Sequence, residues 1–466
     1  MAKTPEYIKR AAGIVPEKRQ LEYQQNGFYG MICFGMNTFT DTETGSGNED
    51  PAFFNPKKLD CRRWAKLFKL SSMKGLILPV KFSDGFCLWQ TETTAHSLKS
   101  SPWRNGSGDI ALDTACACKE FKLKFGIYIS ILDLHEKRNC SFDEYNEFFK
   151  RQLTELCSRY GELFTVYLDS SGIKKDNLRL YDLEGFYSVI RQYQPQAAIT
   201  FCGPDARWSG NDVGICRKSE WSVVPYYYLD SLALKDKKSL KKKINISALD
   251  LGSRKQIKKC DRLIWLPAQV EMSMRKGRFY HYADEYTVLP LNKIIDTYYN
   301  SVGSNAVFIL SVPAMKDGAI SQKETDTLLS VGAQLDIEFN ENLAEGSVMT
   351  DNGHIDENHT GQKILEPGND NFWQCAKGER EYELTLDLGD EYDIDKVVLA
   401  EHIATGQHIE QFSLFVLLNG KWKKLYKGTV IGANKIIPFK EVRARYFKLK
   451  IEKYRLFAAI NKFEAY

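Results

Sequence analysis

The chain has 466 residues, 43% of them hydrophobic and 12% aromatic, which is too long for one ordinary core and too apolar for a disordered chain. Its 64 basic and 60 acidic residues leave a formal charge of +4, far short of the basic excess of a dedicated nucleic-acid binder. No apolar run reaches the length of a membrane span, and Met1-Ala2-Lys3-Thr4-Pro5 carries no apolar signal core. A soluble protein is expected: periplasmic or secreted if an export signal has been trimmed, cytoplasmic otherwise.

In chain order, Phe28 to Gly35 reads as a first strand, followed by a Gly/Asp/Glu-rich loop from Asp41 to Pro51. From there helices and strands alternate. Cys61 to Ser72 has Trp64, Leu67 and Leu70 at helical spacing, Gly75 to Val80 is a strand, and Asp109 to Phe121 a helix. Phe125 to Leu132 is the next strand, Phe142 to Tyr160 a long amphipathic helix, and Leu163 to Asp169 a strand that stops at a carboxylate. Leu183 to Tyr193 is helical, Ala197 to Phe201 and Leu263 to Leu266 are strands, Leu291 to Val302 is a helix and Val307 to Val312 a last strand. This alternation means parallel strands joined by helices. With no glycine-rich phosphate fingerprint after the first strand, a (β/α)8-like TIM barrel fits better than a dinucleotide fold.

Two stretches break the rhythm. Trp208 to Lys259 is long, polar and irregular, and its lysine run from Lys235 to Lys243 reads as a solvated loop. After Asn340 helical periodicity gives way to short alternating runs at Tyr382–Leu388, Lys396–Leu399, Phe412–Val416 and Arg445–Ile451, with a hairpin signal at Asn419-Gly420. An all-β sandwich over residues 341–466 is expected behind a barrel over residues 1–340. The 11 cysteines are odd in number and mostly in apolar settings. Cys116-Ala117-Cys118 has no second pair or histidine cluster beside it, so neither a metal nor a cofactor is expected.

Asp169 stands where a buried strand leaves the sheet. The usual role of such an aspartate is to cap the next turn. In a barrel, however, the C-terminal strand ends form the active-site face, and the surrounding motifs decide between the two readings. Phe34-Gly35-Met36-Asn37-Thr38-Phe39-Thr40, Glu49-Asp50-Pro51, Asp84-Gly85-Phe86-Cys87-Leu88-Trp89, Arg207-Trp208-Ser209-Gly210-Asn211, Glu220-Trp221-Ser222 and Phe279-Tyr280-His281 together resemble glycoside hydrolase family 29, the α-L-fucosidases. The tail, through Leu386-Asp387-Leu388-Gly389, Gly420-Lys421-Trp422 and Val442 to Tyr446, is similar to a discoidin-like module of the factor 5/8 C-terminal type, a candidate carbohydrate-binding module.

The resemblance implies a retaining exo-glycosidase acting on oligosaccharides or glycoconjugates, with one carboxylate as nucleophile and another as acid/base. It places the nucleophile at Asp169. The family's acid/base is a glutamate where this chain has Asp212, one methylene shorter; Glu220 on the same loop is the fallback, although the family pattern makes its position structural. Glu43 and Arg275 match expected sugar contacts. Other sugar-facing positions depart from the family: Cys33 stands for a histidine, Phe82-Ser83 for a histidine pair, Thr44 and Arg278 for tryptophans, Gln269 for a glutamate, and Leu132 for an aromatic. Exchanges concentrated on one pocket imply an altered sugar subsite. The alternative is a catalytically inactive homologue that binds carbohydrate.

Overall fold

The computed structural model describes residues 4–138, 140–226, 249–366, 368, 370–378 and 381–466. The lysine run at 235–243 lies outside them. Eight strands form one parallel sheet: β1 Phe28–Cys33, β2 Gly75–Lys81, β3 Lys124–Ser130, β4 Thr165–Asp169, β5 Ala198–Phe201, β6 Arg207–Trp208, β7 Ala268–Ser273 and β8 Ala306–Pro313. They run in the order β5-β4-β3-β2-β1-β8-β7-β6, a barrel closed except between β5 and β6. The residues of β1, β2, β4 and β8 are all buried. Covered on both faces, they read in sequence as unbroken apolar runs.

The outer helices follow the expected periodicity to within two residues at Cys61–Leu70, Ile110–Glu120, Phe142–Arg159, Leu183–Tyr193 and Leu291–Ser301. Their starts are set by side chains that accept orphan backbone N–H groups: Asp60 from Arg62, Asp109 from Leu112, Ser141 from Glu144 and Asp182 from Gly185. A further helix, Gln322–Glu338, begins with Ser321 accepting from the Glu324 amide and buries Leu328, Val331 and Leu335.

One barrel expectation needs correction. Leu263–Trp265 pairs antiparallel with Val223–Pro225 in a separate two-stranded ribbon, where it packs against Ile8, Ala11 and Ile257. The barrel strand of that region is β7, which follows directly. The sequence hid β7 because Gln269, Glu271 and Ser273 alternate with Ala268, Val270 and Met272. Gln269 and Glu271 point into a polar barrel interior, where Tyr23 and Tyr167 hydrogen-bond them.

Beyond the barrel, seven strands form an antiparallel assembly: β9 Val348–Asp351, β10 Trp373–Gln374, β11 Tyr382–Glu401, β12 Ile409–Leu418, β13 Lys421–Gly428, β14 Lys435–Tyr454 and β15 Ala459–Ala465. The runs expected at Tyr382–Leu388 and Lys396–Leu399 are two halves of β11, which pairs with β14 across a register shift after Asp387. Asn419 and Gly420, both at positive φ, turn β12 into β13. The sandwich has its own core, including Trp373, Leu384, Phe412 and Phe447.

Barrel and sandwich are bonded at a polar seam. Asn305 accepts from Gln24 Nε2 and from the Ala433 amide, both at 2.7 Å, and donates to the Glu220 carbonyl at 2.7 Å. Gln407 accepts from the Ser222 amide at 2.7 Å, and the Arg455 guanidinium lies 4.0 Å from the Trp221 ring. Among the described residues no helix is long and apolar enough to cross a membrane.

Candidate active site

A cavity of about 890 Å³ opens at the C-terminal ends of the barrel strands. That is within the usual size of ligand clefts, about 300–1,000 Å³. Asp169, the last residue of β4, faces it while almost fully buried. Tyr128 of β3 donates its hydroxyl to Asp169 Oδ2, and the Ser171 amide donates to Oδ1 at 2.8 Å. Both oxygens are therefore oriented before any ligand arrives. Asp212 lines the same cavity from the loop after β6. That loop is turned by Asn211, whose Oδ1 accepts from the Val213 and Ile215 amides, and is tied to β7 by the Gly214 amide donating to the Glu271 carbonyl at 3.0 Å.

Glu43 also lines the cavity. Its carboxylate accepts from the backbone amides of Arg278 at 2.9 Å and Phe279 at 3.3 Å, and it meets His281 Nε2 at 2.9 Å. His281 Nδ1 meets Asp41 at 2.7 Å. Partial burial opposes charge on that imidazole, but the two carboxylates prevail and hold its pKa above the ordinary histidine value. Phe82 and Ser83 are both at the cavity wall, with the Phe82 ring packed edge-on against Phe279 at 4.8 Å.

Two of the expected site residues, Glu220 and Cys33, are not placed as the sequence suggested, and a third, Arg275, is at the cavity but engaged by other groups. Glu220 does not reach the cavity. It is fully buried at the seam with the sandwich, ion-paired to Arg207 and lying 3.7 Å from Arg217, so it has no access to a sugar. Cys33 is also fully buried below the cavity surface, and burial pushes its thiol up to about 12. Arg275 does line the cavity, but its Nε is bonded to the buried Glu324 carboxylate and its Nη1 to the His281 carbonyl at 3.3 Å.

Glu271 is the residue the sequence reading missed. It lines the cavity from β7, fully enclosed, with Oε1 accepting from Tyr167 at 2.7 Å and from Gln269 Nε2 at 2.6 Å. Burial lifts its pKa to about 7, against the opposing pull of Arg278 and the two hydrogen bonds. A carboxyl whose folded-state pKa exceeds its unfolded value binds its proton more tightly in the folded state. Its contribution to stability is therefore full below the unfolded value and is lost as pH rises to about 7. Glu271→Gln should gain on the order of 2 kcal/mol over the parent at high pH and nothing at low pH. Urea unfolding at pH 5 and pH 8 measures this; the same offset at both values would contradict it.

Carboxylates gathered at the C-terminal strand ends of a parallel barrel, around a cavity large enough for a sugar, define the class of barrel glycoside hydrolases. The Alpha-L-fucosidase family profile matches residues 17–339, and the F5/8 type C domain profile matches residues 347–463. The chain belongs to the α-L-fucosidase family. It is 33% identical over 448 residues to Alpha-L-fucosidase 1 of Arabidopsis thaliana, covering 95% of this chain and 85% of that protein. Its fold superposes on a putative α-L-fucosidase from Bacteroides ovatus with a TM-score of 0.85 at 34% identity, covering 100% of this chain and 77% of the other. A Ruminococcus gnavus fucosidase in complex with fucose gives 0.84 at 25% identity, covering 97% and 95%.

Proposed function

We propose that this protein is a retaining exo-glycosidase of the α-L-fucosidase type acting on fucosylated or related glycans through an altered sugar subsite. The observation that carries the reading is that Asp169 and Asp212 line one cavity at the C-terminal face of the barrel. Asp169 attacks the anomeric carbon while the glycosidic C–O bond breaks, and Asp212 donates a proton to the leaving oxygen. Water then attacks the glycosyl–Asp169 ester, gives its proton to Asp212 and frees Asp169. Separate cores support a division at residue 340 between this barrel and a candidate carbohydrate-binding sandwich. The test is hydrolysis of a panel of aryl and oligosaccharide fucosides, with the anomer first released followed by NMR. Retained configuration that depends on Asp169 supports the reading; no release from any member rejects it.

Asp212 also gives a graded prediction. It is exposed and has no side-chain partner among the described residues. A displacement of about 1 Å in a catalytic group costs on the order of a hundredfold, so Asp212→Glu, which restores the longer arm, should raise kcat by about tenfold or more. An unchanged or lower kcat would remove Asp212 from the acid/base role. The same lack of anchoring favours the second reading, a homologue that binds glycans without turnover; saturable binding with no hydrolysis in the panel would select it.

A further inference from the structure

Arg278, half-buried in the cavity wall, behaves unlike the buried arginines of this protein. Arg207 is ion-paired to Glu220, Arg275 to Glu324, and Arg455 to Glu410 at 3.1 Å. Arg278 lines the cavity with its guanidinium 6.0 Å from the centre of the Tyr128 ring, the ring whose hydroxyl holds Asp169. Among the described residues that guanidinium has neither an ion pair nor a hydrogen bond; only the Arg278 backbone amide is engaged, by Glu43. An arginine carries five N–H donors and a charge it does not lose, and leaving them unmatched in a partly dehydrated cleft is costly.

None of the carboxylates lining the cavity is hydrogen-bonded or ion-paired to that guanidinium, although its charge attracts Glu271 and Asp212 has no side-chain partner among the described residues. Glu43 is held by two backbone amides and His281, Asp169 by Tyr128 and Ser171, and Glu271 by Tyr167 and Gln269. Two further cations, Lys276 and Lys293, line the same wall, exposed and without an ion pair among the described residues. The cavity therefore presents one half-buried forked donor and two exposed ammonium groups. Phe82, beside Phe279, adds an apolar wall.

We infer that the glycan taken by this cavity carries an oxyanion substituent, held by the Arg278 guanidinium with Lys276 and Lys293 at the mouth. A carboxylate of a hexuronate and a sulfate ester on a sugar hydroxyl share the required chemistry: two or more acceptor oxygens spaced for bidentate bonding by a guanidinium. This inference deepens the proposed function and rests on its assignment of the cavity to glycan. The charged substituent identifies the substrate class as an acidic sugar or an acidic derivative of one, and neutral fucosides would leave Arg278 without a partner.

The experiment is direct binding by calorimetry to the full chain, with three probes: p-nitrophenyl α-L-fucoside, the same fucoside bearing a ring sulfate ester, and a p-nitrophenyl hexuronide. At least one anionic probe should bind the parent protein about tenfold or more tightly than the neutral fucoside, the worth of one charge-assisted bond. Arg278→Gln should abolish that preference, and Arg278→Lys should retain part of it. Which anionic probe binds tighter decides between sulfate and carboxylate. Thermal unfolding of each variant excludes loss of fold as the cause. Equal affinity of the parent for neutral and anionic probes, or an undiminished preference in Arg278→Gln, would overturn the inference. Because the readout is binding, a protein that prefers the anionic probe yet hydrolyses nothing would reject the hydrolase reading while leaving the anion site standing.

Discussion

Asp169→Asn should reduce turnover on the order of a thousandfold or more while leaving the fold intact. The substitution is nearly isosteric. The Asn carbonyl oxygen can keep the Ser171 amide, which now lies 2.8 Å from Asp169 Oδ1, and the new NH2 group faces the Tyr128 hydroxyl, whose oxygen can accept in place of donating. What is lost is the negative charge that attacks the anomeric carbon, so the covalent intermediate cannot form. The steady-state signature is a fall in kcat with little change in KM, since the hydrogen-bonding outline of the cavity is kept. In Asp169→Ala, azide ion can occupy the vacated space and attack the same carbon, giving a glycosyl azide of inverted configuration while the leaving oxygen takes its proton as before. A variant that keeps more than about a tenth of parental kcat would show that Asp169 is only a turn cap.

The choice between cap and nucleophile at Asp169 rests on motifs spread along the chain, and other features of the site are not local in that way. The strands ending at Lys81, Ser130 and Asp169 were legible because both faces are buried, and the helices because their apolar stripes recur at 3.6 residues. The site was legible only along the chain, not across it. Asp212 and its fallback Glu220 are two carboxylates on one loop, and only Arg207, thirteen positions from Glu220 and folded back on it, takes Glu220 out of the site. Glu271 is anchored by Tyr167, 104 residues away, and Gln269 by Tyr23, 246 residues away, so no local window shows why this strand is polar. Leu263–Trp265 failed for the opposite reason: an apolar run is the same signal whether the barrel or the N-terminal helix Glu6–Ala12 covers it. The Gln322–Glu338 helix did carry a usable signal, Ser321 and Glu324 ahead of Leu328, Val331 and Leu335.

Lys81→Met should cost about 3–5 kcal/mol, the largest stability loss expected from a single polar residue near the site. Lys81, at the end of β2, is completely buried, with its Nζ 2.9 Å from Asp133 Oδ2 and 2.8 Å from Gln152 Oε1, and 5.0 Å from the centre of the Phe149 ring. Removing the cation leaves the buried Asp133 carboxylate without its counter-ion. Burial already works against the charge on Asp133, and Lys81 together with the Glu136 amide reverses this, holding its pKa below the ordinary value. The parent therefore keeps this stabilisation at neutral pH and loses it as pH falls through that lowered pKa. In the variant the carboxyl instead favours its protonated form, so the destabilisation should be greater at pH 8 than at pH 5 in urea unfolding. Asp133→Asn added to Lys81→Met should recover part of the loss, because the Asn oxygen can still accept from the His135 and Glu136 amides, now 3.0 and 2.9 Å from Asp133 Oδ1. Activity should fall with stability. His135 Nδ1 meets the Gly47 carbonyl at 2.8 Å, and the loop carrying Gly47 also carries Glu43, Thr44 and Gly45 to the cavity wall. A loss below about 1 kcal/mol, equal at both pH values, would mean that water or a neutral Asp133 already satisfies the pair.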